Sequence, residues 1–135
     1  MERMKSQKTK YRTVSLFSGI GGFDLGFMYA GFNIIWANDF DKYACQTYKA
    51  NVSKNIVCGD IRIEKENIPA HDVLIGGFPC QPFSYAGEKQ GFNDEVRGTL
   101  FFDVCRILEY HKPPMVFLEN VKGLKSHDKG KTLQT

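Results

Sequence analysis

The sequence predicts an α/β fold, a doubly wound and mostly parallel sheet that runs to about a fifth strand. Three observations point there. From Thr13 onward, short apolar runs alternate with segments of helical period. Glycine-rich or acidic residues close those runs, as they do where strands end beneath a ligand. The chain has 135 residues, 42% hydrophobic and 24% charged, the balance of one ordinary globular domain. Strand alternating with helix demands right-handed crossovers, and hence parallel neighbours.

Residues 1–12 read as a flexible basic leader carrying Arg3, Lys5, Lys8, Lys10 and Arg12. Thr13–Phe17 is the first predicted strand, ended by Ser18-Gly19, and a helix follows from Gly22 to Ala30, stopped by Gly31. Asn33–Ala37 is the second strand and Asp41–Ala50 the helix after it. Ile56–Cys58 makes a short third strand, and Asp72–Ile75 a fourth, apolar enough to be buried on both faces. Leu100, Phe101, Val104, Ile107 and Leu108 recur at three- and four-residue steps, so Thr99–Tyr110 is a helix with one buried face. Pro113-Pro114 ends that connection, and Met115–Leu118 is the fifth strand. The polar, basic stretch after Glu119 offers no clear helix to cover that strand. Residues 13–135 therefore read as the front portion of a larger catalytic domain, with apolar surface exposed around Val116 and Leu118.

Composition excludes several classes. No apolar stretch approaches the roughly 20 residues of a membrane span, and no secretory signal is recognisable, so a cytoplasmic protein is expected. A net charge of +3 is compatible with a polyanionic partner without demanding one. Cys45, Cys58, Cys80 and Cys105 form no CxxC pair, which argues against both a metal site and a disulfide framework. Cys45, Cys58 and Cys105 read as small buried hydrophobes.

In an open parallel sheet, ligands bind beyond the carboxyl ends of the strands, so those ends are where chemistry is sought. After the first strand come Phe17, Ser18, Gly19, Ile20, Gly21 and Gly22, a loop that lets a ligand approach the backbone. The loop is Rossmann-like but lacks the dinucleotide fingerprint. Asp24 stands where the third glycine belongs, and a carboxylate there would repel a pyrophosphate. A nucleoside cofactor without phosphates fits better, and S-adenosylmethionine is one. Asp39 would take its ribose diol, Phe40 its adenine face and Asp60 its adenine amino group.

Cys80 is the sharpest feature. Pro79 and Pro82 stiffen its loop beyond the fourth strand, so its thiol is presented to a ligand rather than packed away. Glu119 closes the fifth strand and should face the same crevice, where desolvation would raise its pKa and let it donate a proton to a ring nitrogen. The polar segment Ser84–Gly98, with Lys89 and Arg97, reads as a lid able to close on a nucleic-acid backbone.

Four segments together resemble the DNA (cytosine-5)-methyltransferases, chiefly those of bacterial restriction–modification systems. They are Ser15–Gly22, Gly77–Ser84, Arg97–Phe101 and Leu118–Val121, in the family's order and spacing. The resemblance implies an S-adenosylmethionine-dependent methyltransferase fold and double-stranded DNA with a flipped cytosine as partner. It implies Cys80 as the nucleophile on carbon 6, Glu119 at ring nitrogen 3, and Asn120 bracing the cysteine loop. Phe17, Gly19, Gly21, Gly22, Asp39, Phe40, Asp60, Ile61 and Leu100 match cofactor-contacting positions, and Gln81, Ser84 and Arg97 match DNA-contacting ones. Asp39 and Phe40 stand where the family often has Glu and Trp. The family's later motifs, its target-recognition region among them, have no counterpart in the sequence, so a complementary C-terminal polypeptide is an expected partner. An inert or split-gene fragment and an RNA (tRNA) cytosine methyltransferase are the alternatives; a nicotinamide-dependent oxidoreductase is a distant one.

Overall fold

A computed structural model of the chain describes residues 11–77 and 95–120. The chain divides into two compact units, Met1–Gly76 with Pro113–Phe117, and Gly77–Lys112 with Leu118–Thr135.

The first unit is built on the sheet. Its elements are β1 (Arg12–Leu16), α1 (Gly22–Tyr29), β2 (Asn33–Asp39), α2 (Lys42–Asn51), β3 (Ile56–Cys58), α3 (Ile61–Glu64) with a following 3-10 turn (Lys65–Asn67), and β4 (Val73–Gly76). β5 (Met115–Leu118) lies beside β4, and the strand order is β3-β2-β1-β4-β5. The ladders of β1 with β2, β1 with β4 and β2 with β3 are parallel. Order reverses between β1 and β4, which places a switch-point crevice at their carboxyl ends.

Side-chain parity explains the core. A bulge shifts the β1–β2 register between Thr13 and Val14, so Ile34 pairs with Thr13 but Ala37 with Ser15. Ile34 and Ala37 thereby share one face despite their odd spacing. On that face they pack with Ile56, Val73 and Ile75 against Cys45 and Tyr48 of α2, with Phe23, Phe27, Phe32 and Val52 around them. Val14, Leu16, Trp36 and Leu74 are buried as well, so the central strands are covered on both faces.

The helices begin and end for local reasons. Asp41 caps α2, its carboxylate accepting from the N–H groups of Tyr43 and Ala44 at 2.8 Å each. α1 closes with a Schellman arrangement: Phe32 N–H donates to the Phe27 carbonyl and Gly31 N–H to that of Met28, both at 2.9 Å. The Phe27 and Phe32 rings meet edge to face at 5.1 Å and seal the turn.

Most predicted boundaries hold to within two residues. The first strand starts at Arg12, whose N–H donates to the Asp72 carboxylate at 2.8 Å, so the last residue expected in the leader belongs to the sheet. α3 and its 3-10 turn were not foreseen, being too short to show a period. In the second unit, α4 spans Glu95–His111, four residues longer at its start than the periodicity suggests. Residues 95–98, expected in a lid, are therefore helical. Glu95 favours the positive helix end, and Gly98 costs only about 1 kcal/mol, too little to stop a helix carrying this apolar stripe. Ser84 and the rest of the expected lid lie outside the described residues, as do the residues after Asn120.

Candidate functional site

The carboxyl ends of β1, β2 and β3 stand side by side, since Leu16 pairs with Asn38, Asn38 with Val57, and Asp39 with Cys58. Asn38 fastens all three. Its carbonyl accepts from the Ser18 N–H at 3.1 Å and the Ser18 hydroxyl at 2.8 Å. Its side-chain amide donates to the carbonyls of Val57 at 2.9 Å and Gly59 at 3.0 Å. Neither Asn38 nor Ser18 has a role that the sequence alone assigns. An Asn ending an apolar run looks like any turn residue until its two cross-strand acceptors are known.

Asp39 extends from this clamp. One carboxylate oxygen accepts the Gly19 N–H and the other the Asp41 N–H, each at 2.8 Å. Each oxygen keeps a further lone pair, so the group remains able to accept from a diol. Next to it Phe40 is 80% exposed. Phe17, at φ 53°, occupies the left-handed region that bulky residues avoid, and this bend turns the chain into the glycine loop. A side chain at Gly19 would meet nothing within 4 Å, whereas one at Gly21 would strike Val52 at 2.5 Å and Tyr48 at 2.8 Å. Gly21 is thus required by packing against α2. Gly22 opens α1 with free space around it.

Asp24 does not face the loop. It is fully buried, accepting from the Ser15 hydroxyl at 2.7 Å and the Tyr48 hydroxyl at 2.6 Å. Burial raises its pKa, and the two hydroxyls partly oppose that. Burial and the Asp24 carboxylate push the Tyr48 hydroxyl up in turn. The expectation that Asp24 repels an anion at the helix start is therefore corrected: helical periodicity aims position 24 into the core. Asp60 is held by the Arg62 guanidinium and caps α3, accepting the Arg62 N–H at 2.9 Å. The Arg62 bond holds its carboxyl below the usual range. Ile61 is only 3% exposed, so its side chain belongs to the core of this unit.

In the second unit Glu119 and Gly77 meet. A Cβ at Gly77 would lie 2.9 Å from the Glu119 carboxylate, so position 77 must lack a side chain for Glu119 to sit where it does. Glu119 is exposed rather than desolvated, and Asn120 is half-buried. Leu100 and Arg97 stand in the first turns of α4. Cys80, Gln81 and Ser84 lie outside the described residues. Of the cysteines read as buried, Cys45 is, but Cys58 and Cys105 are exposed. Cys58 ends an edge strand and Cys105 falls off the apolar stripe of α4, where burial has no partner. Among the described residues no three His, Cys, Asp or Glu side chains gather as a metal site, and no helix is long and apolar enough to cross a membrane.

This architecture is that of the α/β methyltransferases. A crystal structure of a protein described as a DNA modification methyltransferase of an E. coli prophage matches with a TM-score of 0.73 at 28% identity, over 93% of this chain and 36% of that one. The S. pombe Dnmt2 methyltransferase shares the fold, with a TM-score of 0.67 at 22% identity over 92% of this chain and 38% of that one. The model of the C-5 cytosine-specific DNA methylases matches residues 11–135, and the chain belongs to that family. It is 54% identical to the type II methyltransferase M.NlaX of Neisseria lactamica over 127 residues, 92% of this chain and 40% of that protein. It is 45% identical to M.HhaI of Haemophilus parahaemolyticus over 135 residues, 99% of this chain and 41% of that protein. The chain thus spans about two fifths of the length of these relatives.

Proposed function

We propose that the chain supplies the cofactor-binding edge and the nucleophile of an enzyme that methylates carbon 5 of cytosine in DNA, acting together with the family's C-terminal motifs. The observation that carries this reading is Asp39, braced by two backbone N–H groups and flanked by the exposed Phe40 ring. Two acceptor oxygens beside an apolar face suit a ribose diol and a purine, and the open backbone at Gly19 leaves room for both. S-Adenosylmethionine fits that donor and acceptor set, with Asp39 on the hydroxyls, Phe40 on the ring and Asp60 on the amino group. When bound, it supplies an electrophilic methyl group.

The chain's own groups do the rest. Cys80, as thiolate, adds to carbon 6 of a cytosine turned out of the duplex, and Glu119 protonates or hydrogen-bonds nitrogen 3, drawing electrons from the attacked carbon. Carbon 5 becomes nucleophilic enough to accept the methyl group. Loss of the carbon-5 proton then expels the Cys80 sulfur and restores the ring. Asn120 steadies the cysteine loop, while Gln81, Ser84 and Arg97 contact the DNA.

The test incubates the chain, with and without a polypeptide carrying the family's C-terminal motifs, with tritiated S-adenosylmethionine and either DNA or tRNA. Label is expected in DNA when both polypeptides are present, and none with Cys80→Ser. A duplex carrying 5-fluorocytosine should trap a covalent adduct at Cys80. Methylation that survives Cys80→Ser would overturn the mechanism, and transfer to tRNA alone would replace DNA as the substrate.

A further inference from the structure

Two thiols converge below the Asp39–Phe40 segment. Cys45, on the first turn of α2 and 2% exposed, donates its S–H to the Asp39 carbonyl at 3.4 Å. Cys58, the exposed last residue of β3, donates its S–H to the next carbonyl, that of Phe40, at 4.0 Å. The β2–β3 ladder fixes this meeting by pairing Asp39 with Cys58. The thiols sense each other: burial first, then the Cys58 thiol, pushes Cys45 up to about 12. Cys58 faces solvent while Cys45 is shielded beneath the same segment, so a peroxide reaches Cys58 first.

We propose that Cys45 and Cys58 are a peroxide-oxidisable dithiol, a modification site in which exposed Cys58 reacts first and Cys45 resolves it. The Cys58 thiolate attacks one oxygen of a hydroperoxide; the S–O bond forms, the O–O bond breaks, and the departing hydroxide or alkoxide takes up a proton. The Cys45 sulfur then attacks the Cys58 sulfenic acid; the S–S bond forms, the S–O bond breaks, and water leaves with the Cys45 proton. Two thiols lose two electrons in all and the peroxide gains them. The disulfide ties α2 to β3 and strips the Asp39 and Phe40 carbonyls of their thiol donors.

The test needs neither cofactor nor nucleic acid, so its outcome is separate from the reading of the site as a methyltransferase. The full chain, reduced and folded, is exposed to limiting hydrogen peroxide, alkylated, and digested with trypsin without reductant. The tryptic peptides Tyr43–Lys49 and Asn55–Arg62 should appear joined, two hydrogen atoms lighter than their sum, and separate with dithiothreitol. Formation should be about tenfold or more faster in the folded chain than in urea, as two pre-placed groups require. In Cys45→Ala, dimedone should capture Cys58 as a sulfenic acid adduct. Over-oxidation of Cys58 without linkage, linkage of either peptide to Cys80 or Cys105, or an equal rate in urea would each overturn the proposal.

Discussion

Asp39 holds two backbone N–H groups and is assigned the ribose of the cofactor, so its removal tests the site most directly. A hydrogen bond to a charged group contributes about 1.5–3 kcal/mol, so Asp39→Ala should weaken S-adenosylmethionine binding by roughly ten- to a hundredfold in a calorimetric titration. An unchanged affinity would remove Asp39 from the site. Asp24 makes the pH prediction. Its native pKa lies above the ordinary 3.8, so the folded chain holds this proton more tightly than the unfolded one. Its contribution to stability is greatest below the ordinary value and is lost as pH rises through the raised one. Urea unfolding of wild type and Asp24→Asn across acidic to neutral pH should show wild type losing stability relative to the variant over that window. A constant difference would mean that Asp24 is not desolvated. Both aspartates are visible in the sequence, but the burial of Asp24 is not. A carboxylate at helix position 24 is exposed or buried according to where α1 turns its face, and Tyr48, its partner, is far along the chain.

At the scale of elements, the caps decide where helices start. Asp41→Ala removes the carboxylate oxygen that accepts both N–H groups at the start of α2 and should cost about 0.5–2 kcal/mol, measured as a lower urea midpoint with an unchanged slope. The same change should disturb the Asp39 carboxylate little, because Asp41 donates to it through its backbone N–H. Strand positions were legible because four-residue apolar runs between turn signals have few alternatives in a chain this short. α3 was not legible. It is one turn long, and its start depends on Asp60 folding back on Arg62. The extension of α4 to Glu95 was hidden because Gly98 and polar neighbours look like a loop when read locally.

For the whole molecule the exposed apolar surface sets the expectation. Met115, Val116, Phe117 and Leu118 are between 37% and 51% exposed, as anticipated for the fifth strand. Phe117 also meets Phe23 and Phe27, with ring centroids 5.6 and 5.5 Å away. Beside them a cavity of about 250 Å³ is lined by Gly22, Phe23, Gly26, Phe27, Ala30 and Phe32. A face of this kind drives association. Sedimentation of the purified chain should show mass rising with concentration, and Phe117→Lys should shift it towards monomer. A wild-type chain that stays monomeric at every concentration would count against this.

By itself the sequence determined the alternation of strands and helices, the parallel sheet and the family, because these rest on local period and on contiguous motifs such as Gly77–Ser84. Only the tertiary structure decided that Asn38 clamps three strands, that Asp24 turns inward to Ser15 and Tyr48, that Gly21 serves packing, and that Cys45 and Cys58 donate to adjacent carbonyls. Those facts depend on the register of strands distant in the chain, and a partner fixed by register leaves no mark in the spacing of residues.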